Sequence, residues 1–169
     1  MSLQDFALTV AEALKERNID VILTGGAVVS IYSEGKYVSK DADFLSETDH
    51  QTIKKAMFEM GFKNIGKDFH HDDCLFTAEF PGYELVIGYE PMRPEGKLKN
   101  GKFTLKLLSP TQCVMDRLAA FYHWKDRQSL QQAVMVAQKH PVKLKAIEAW
   151  SGKEGMSDRY KIFLQELKK

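Results

Sequence analysis

Apolar positions divide this chain into alternating helical and extended segments. Leu3, Phe6, Ala7, Val10 and Leu14 recur at helical spacing behind a Ser2…Asp5 start signal, which predicts a first helix ending near Asn18. Val21 to Leu23 is a short apolar run that meets Gly25-Gly26, and a second helix is expected over Ala27 to Tyr32, closed by Gly35. Asp41-Ala42-Asp43-Phe44 alternates as a strand, and Thr48 with Gln51 resembles a capping box for a helix that carries Ile53, Ala56, Met57 and Met60 and stops at Gly61. Cys74–Phe80 and Tyr83–Tyr89 are apolar-rich runs around Pro81-Gly82, so an antiparallel hairpin is expected, with Glu84 and Val86 on one face of its second strand. Residues 90–102 hold two prolines and two glycines and are expected to form a loop. Phe103, Leu105 and Leu107 alternate as a last strand.

The rest of the pattern is helical. Ser109-Pro110-Thr111-Gln112 supplies an N-cap, a proline at the first helical position and a glutamine to close the cap. Val114, Leu118, Phe121 and Tyr122 follow on one side, with Asp116, Ala120, His123 and Arg127 on another. A further helix runs through Leu130, Ala133, Val134 and Ala137 to Pro141, and two shorter ones are expected over 142–150 and 157–168. The fold class is therefore α/β (α+β): a mixed β-sheet core over residues 1–108 flanked by helices, with a C-terminal helical appendage over 109–169.

The chemistry is concentrated between Thr24 and Leu45. On one strand Asp41 and Asp43 project from the same face, and two close carboxylates repel unless a cation lies between them. Hard oxygen ligands favour magnesium or manganese. Gly25-Gly26 permits close approach to the backbone, and the amides that open the next helix can receive a phosphate oxygen. Metal-binding carboxylates on one side and a phosphate cradle on the other point to a metal-bound nucleoside triphosphate. Lys40, beside Asp41, is a further candidate phosphate contact.

Composition narrows the setting. Twenty-four basic side chains against 23 acidic ones leave a net charge of +1 over 169 residues, so the whole-chain charge gives no case for non-specific nucleic-acid binding. Locally, the basic stretch 93–106 and the lysines after residue 138 keep a nucleic-acid-binding reading open. Cys74 and Cys113 are far apart and without a CxxC pattern; both are expected as buried small apolar residues in a reducing, cytoplasmic setting. No signal peptide or membrane-length apolar run is legible, so a soluble protein is expected. His70-His71-Asp72-Asp73 reads as a solvated loop, because adjacent histidines make no rigid chelate and no downstream pattern completes a zinc site.

Gly25-Gly26 followed by Asp41-Ala42-Asp43-Phe44 resembles the signature of the polymerase-β-type nucleotidyltransferase superfamily, with a flavour of its minimal, abortive-infection-toxin-like members. The resemblance implies transfer of a nucleoside monophosphate from a triphosphate to an acceptor hydroxyl, with Gly25 and Gly26 holding the triphosphate and Thr24 or Ser30 adding a hydrogen bond. It further implies a third metal-binding carboxylate from a neighbouring strand beside Asp41 and Asp43. Glu84 is the first candidate and Glu79 the second. Arg117 stands where similar proteins place a cationic phosphate contact on this helical segment. The acceptor is left open among RNA, protein and small molecules. The alternative is a catalytically weak or inactive interaction module, such as one half of a toxin–antitoxin pair, that meets a protein partner through its helical C-terminal region.

Overall fold

The computed structural model describes residues 1–169. Helix α1 (Leu3–Lys15) is capped as its sequence predicts, Ser2 Oγ accepting from the Asp5 N–H at 3.0 Å. β1 (Ile22–Thr24) leads into α2 (Gly25–Tyr32), whose first turn contains the glycine pair itself, and β2 (Asp41–Leu45) follows. α3 (His50–Glu59) is capped one residue later than expected: Asp49, not Thr48, accepts from the Thr52 N–H at 3.0 Å. Asp49 also accepts from the Thr52 hydroxyl at 2.7 Å, two bonds that no Thr48–Gln51 box matches.

Two short strands the apolar pattern does not announce, β3 (Lys63–Ile65) and β4 (Asp68–His70), fold back on each other. His70 is therefore part of a strand, whereas His71 to Asp73 lie in the expected loop. β5 (Thr77–Gly82) absorbs Pro81-Gly82, which corrects the expected hairpin turn. Proline is tolerated there because β4 pairs with β5 only as far as Glu79, and the β2–β5 ladder shifts register between Asp43 and Leu45.

β6 (Val86–Ile87) consequently never pairs with β5; it forms a separate two-stranded ribbon with β7 (Glu90–Pro91). Burial explains the detour. Leu85 and Ile87 enter the apolar core, and Trp150 Nε1 donates to the Ile87 carbonyl at 3.3 Å. The tip of this ribbon is held as well, since the Glu154 carboxylate accepts from the Tyr89 N–H at 3.2 Å and from His123 Nε2 at 2.9 Å. The expected loop 90–102 contains another strand, β8 (Gly96–Asn100), which turns through Gly101 onto β9 (Phe103–Leu107). Alternation of Lys97, Leu98 and Lys99 is its strand signal, hidden among turn residues.

The main sheet has the order β3-β4-β5-β2-β1-β9-β8, with β2–β5 and β1–β9 parallel and the other pairs antiparallel. Its register assigns each residue to a face. One face carries Leu23, Ala42, Phe44, Phe69, Ala78 and Leu105, all essentially inaccessible and packed into the apolar core that the helices share. The other carries Asp41, Asp43, Thr24, Thr77 and Glu79.

The helical part opens with α4 (Pro110–Trp124), where Ser109 and Gln112 form the expected capping box. α5 (Arg127–Lys139), α6 (Leu144–Lys153) and α7 (Ser157–Lys168) complete it, α6 running three residues beyond its expected end. One apolar cluster extends from Leu3 to Phe163. Tyr32 at the end of α2 donates to the Leu108 carbonyl at 2.6 Å, and His140 Nε2 donates to the Tyr32 carbonyl at 2.8 Å. Cys113 is fully buried as expected, but Cys74 is only half-buried. No helix is long and apolar enough to cross a membrane.

Candidate active site

The register of three strands builds the site. Thr24 of β1, Asp43 of β2 and Glu79 of β5 form one row across the sheet, and Asp41 stands beside Thr77 in the next. Both rows point to the same face, because paired residues in neighbouring strands share a side. Glu79, the second candidate, is thus the carboxylate in register with Asp43. Glu84 lies in an exposed bend beyond the end of β5, so the expected strand 83–89 beside β2 is not formed.

The glycine pair sits against this row for a steric reason. Gly25 adopts φ +70°, and a Cβ there would fall 2.6 Å from Asp43 Oδ2. Only glycine meets both conditions. A Cβ on Gly26 would lie 3.3 Å from the Tyr37 ring and 3.4 Å from Ser39 Oγ, so the second glycine faces the segment that leads into β2. Ser39 in turn donates to the Asp41 carbonyl at 3.0 Å and accepts from the Asp41 N–H at 3.3 Å, fixing the start of the strand.

The two aspartates differ in their surroundings. Asp41 is exposed and accepts from the Thr77 hydroxyl. Asp43 is pushed up from an ordinary 3.8 to about 6, first by burial, then by the charges of Glu79 and Asp41, against partial relief from Arg117 and Lys67. Its Oδ1 is buried and has no hydrogen-bond partner. Such an atom is rare in a folded protein, and it leaves Asp43 with an oxygen able to accept a donor or a cation. Glu79, with 18 % of its side chain exposed, has Lys67 Nζ at 3.5 Å, but that lysine is 77 % exposed and adds only a screened surface charge.

Arg117 of α4 is close enough to this cluster that it and Asp43 feel each other's charge. It is mostly buried and pairs with Asp116 at 2.6 Å, and Gln132 Oε1 accepts from it at 3.4 Å. Burial opposes its charge, but Asp116, together with weaker help from Asp43, holds its pKa above the usual value. The guanidinium is therefore a fixed positive charge near the acidic row. Lys40 is exposed, and its carbonyl accepts from the Thr77 N–H at 3.0 Å. Ser30 lies one turn beyond Gly26 on α2, half-buried. The Thr24 hydroxyl is engaged with the Asp43 carbonyl at 3.3 Å.

Thr77 and Asp116 are residues of the cluster that sequence reading did not single out for these positions. A signal existed: Thr77-Ala78-Glu79 repeats the polar, small, acidic alternation of Asp41-Ala42-Asp43, as two adjacent strands of one site can.

Comparison with known proteins supports the architecture. No family model matches the sequence, and no curated protein matches it. The chain is similar in structure to an antigenic nucleotidyltransferase-like protein from Paracoccidioides brasiliensis, with a TM-score of 0.59 and 17 % identity over 80 % of this chain and 75 % of that one. It is also similar to the antibiotic-resistance factor ANT(2'')-Ia, whose solution structure shows substrate-regulated conformation dynamics, with a TM-score of 0.51 and 12 % identity over 99 % of this chain and 97 % of that one. A seven-stranded mixed sheet with an Asp-Ala-Asp strand at its centre, packed with helices, is, in this chain, the nucleotidyltransferase fold.

Proposed function

We propose that the protein is a nucleotidyltransferase that moves a nucleoside monophosphate from a nucleoside triphosphate to an acceptor hydroxyl. The observation that carries this reading is the orphaned Oδ1 of Asp43, a buried carboxylate oxygen at the centre of an acidic row and within the field of only one buried cation. A magnesium or manganese ion suits the hard oxygens of Asp41 and Asp43, with Glu79 next in the row; the three carboxylates are not yet gathered as a metal cluster and would have to draw together around the ion. When bound, such an ion supplies the positive charge that acidifies the attacking hydroxyl and balances the leaving pyrophosphate. Glu79 takes the role first expected of Glu84, because it is the acidic residue in register with Asp43.

The chain's own groups divide the remaining work. Amides at the start of α2, beside Gly25 and Gly26, are free to receive phosphate oxygens, and the helix dipole favours negative charge there. Arg117 adds positive charge near the acidic row and is held in orientation by Asp116, and Lys40, exposed just ahead of Asp41, is a further candidate phosphate contact. Ser30 is a further donor one turn along α2.

Isothermal calorimetry and transfer from a labelled triphosphate test the reading. In the double variant Asp41→Ala/Asp43→Ala, both magnesium-dependent nucleotide binding and transfer should vanish; retention of both overturns it.

A second reading, an interaction module of nucleotidyltransferase fold with little activity, has one specific observation in its favour. Asp41 is satisfied by Thr77 and Glu79 has Lys67 nearby, and no three acidic, histidine or cysteine side chains are gathered closely enough to hold a metal. Failure of the wild-type protein to bind any triphosphate in magnesium, together with co-purification of a stable partner on the helical C-terminal region, would favour it.

A further inference from the structure

The open face of the sheet does not end at the acidic row. Ile22 pairs with Lys106, Lys106 with Lys97 and Thr104 with Lys99, so these three lysines share the face of Thr24, Asp43 and Glu79. All three are exposed. Lys97 and Lys106 stand directly opposite each other across an antiparallel ladder, an arrangement that like charges destabilise. Neither they nor Lys99 or Lys102 forms an ion pair, although ion pairs occur at eight other places on the molecule. Between residues 93 and 106 there are five basic side chains and one acidic one, a local excess that the near-neutral whole chain conceals. Lysine on an edge strand discourages edge-to-edge pairing, but that purpose does not require cross-strand partners of like sign.

We infer that this stripe binds the backbone of a single-stranded nucleic acid whose terminal hydroxyl is the acceptor; the inference rests on the transferase reading and names its substrate class. Lys97 and Lys99 repeat at about 6.8 Å along β8, two residues of strand rise, so they offer evenly spaced charges to successive phosphates. Lys106 lies two strand spacings, about 10 Å, from the strand of Asp43, within reach of one or two nucleotides. A flexible single strand can bend from the stripe across β1 toward Asp43; a stiff duplex cannot. In the step itself, the terminal hydroxyl oxygen forms a bond to the α-phosphorus, the bond from that phosphorus to the α,β-bridging oxygen breaks, pyrophosphate leaves, and the hydroxyl proton passes to water.

The test is fluorescence anisotropy with an end-labelled RNA of about 20 nucleotides, titrated at several salt concentrations, on the full chain. Wild-type protein should bind with strong salt dependence. Lys97→Glu/Lys99→Glu/Lys106→Glu should weaken binding at least tenfold, and the milder Lys→Gln triple should weaken it less and lower the log–log salt slope by about 2 to 3. Unchanged thermal midpoints verify that both triples remain folded. Equal binding by the triple variants, equal affinity for a duplex of the same sequence, or binding to anionic vesicles but not to RNA each overturns the inference; single-stranded DNA of the same sequence distinguishes a sugar-specific site from one that reads phosphate alone. If wild type binds RNA but adds no nucleotide to it or to anything else, the transferase reading falls and the acceptor role with it, leaving the binding surface. If it transfers to another acceptor and ignores RNA, the present inference alone falls.

Discussion

At the residue scale, Asp43 concentrates the cost of the site. Its folded pKa of about 6 lies above the ordinary 3.8, so the folded chain holds this proton more tightly than the unfolded chain. With respect to this group alone, the metal-free protein is most stable below about pH 4 and loses stability as pH rises through 6. With allowance for solvent screening of a half-buried group, the loss is on the order of 2 kcal/mol. Asp43→Asn should remove that dependence, unfolding at higher denaturant than wild type at pH 7.5 but not at pH 4, and added magnesium should raise the midpoint of wild type only. A wild-type curve parallel to that of the variant from pH 4 to 7.5 would contradict this account. Asp41 and Asp43 were legible in the sequence because strand alternation alone puts them on one face. Glu79 against Glu84 was not, since that choice turns on whether Pro81-Gly82 ends a strand or rides inside one, and only pairing with β2 across a register shift decides it.

At the element scale, α4 shows how a legible signal can understate its own importance. Ser109 and Gln112 read as a capping box and form one. Gln112, nearly inaccessible, also accepts from the Glu95 N–H at 2.9 Å and donates to the Arg93 carbonyl at 2.7 Å, tying the approach to β8 to the start of the helix. Ser109→Ala removes one cap bond and should cost about 1 kcal/mol. Gln112→Ala leaves several buried backbone groups unpaired and should cost about 3 kcal/mol by urea denaturation; equal costs would mean that the segment 93–95 is held by something else. The helices were readable because caps and 3.6-residue periodicity are local. β3, β4, β7 and β8 were obscured because strands of two to five residues carry too few positions for an alternation to stand out, and pairing with a neighbouring strand is what fixes them.

At the scale of the whole molecule, the sheet is dry on one side and charged on the other, and the helical segment closes over one end of that division. The sequence division at residue 108 falls where α4 begins, yet Tyr32, Leu108 and His140 are joined by hydrogen bonds across it, and apolar packing is continuous. Cys113 gives that continuity a clock. Its thiol is inaccessible, and burial holds its pKa far above the usual range, so an alkylating reagent reaches it only when α4 leaves its seat. Half-exposed Cys74 should be modified promptly in the native protein. Mass-resolved alkylation kinetics in a Cys74→Ser background then read the opening free energy of the helical segment directly. A rate at Cys113 that follows global unfolding measured by circular dichroism would mark one cooperative unit, and a much faster rate a hinged one; slowing of that rate by a bound triphosphate would turn a sealed cysteine into a gauge of closure.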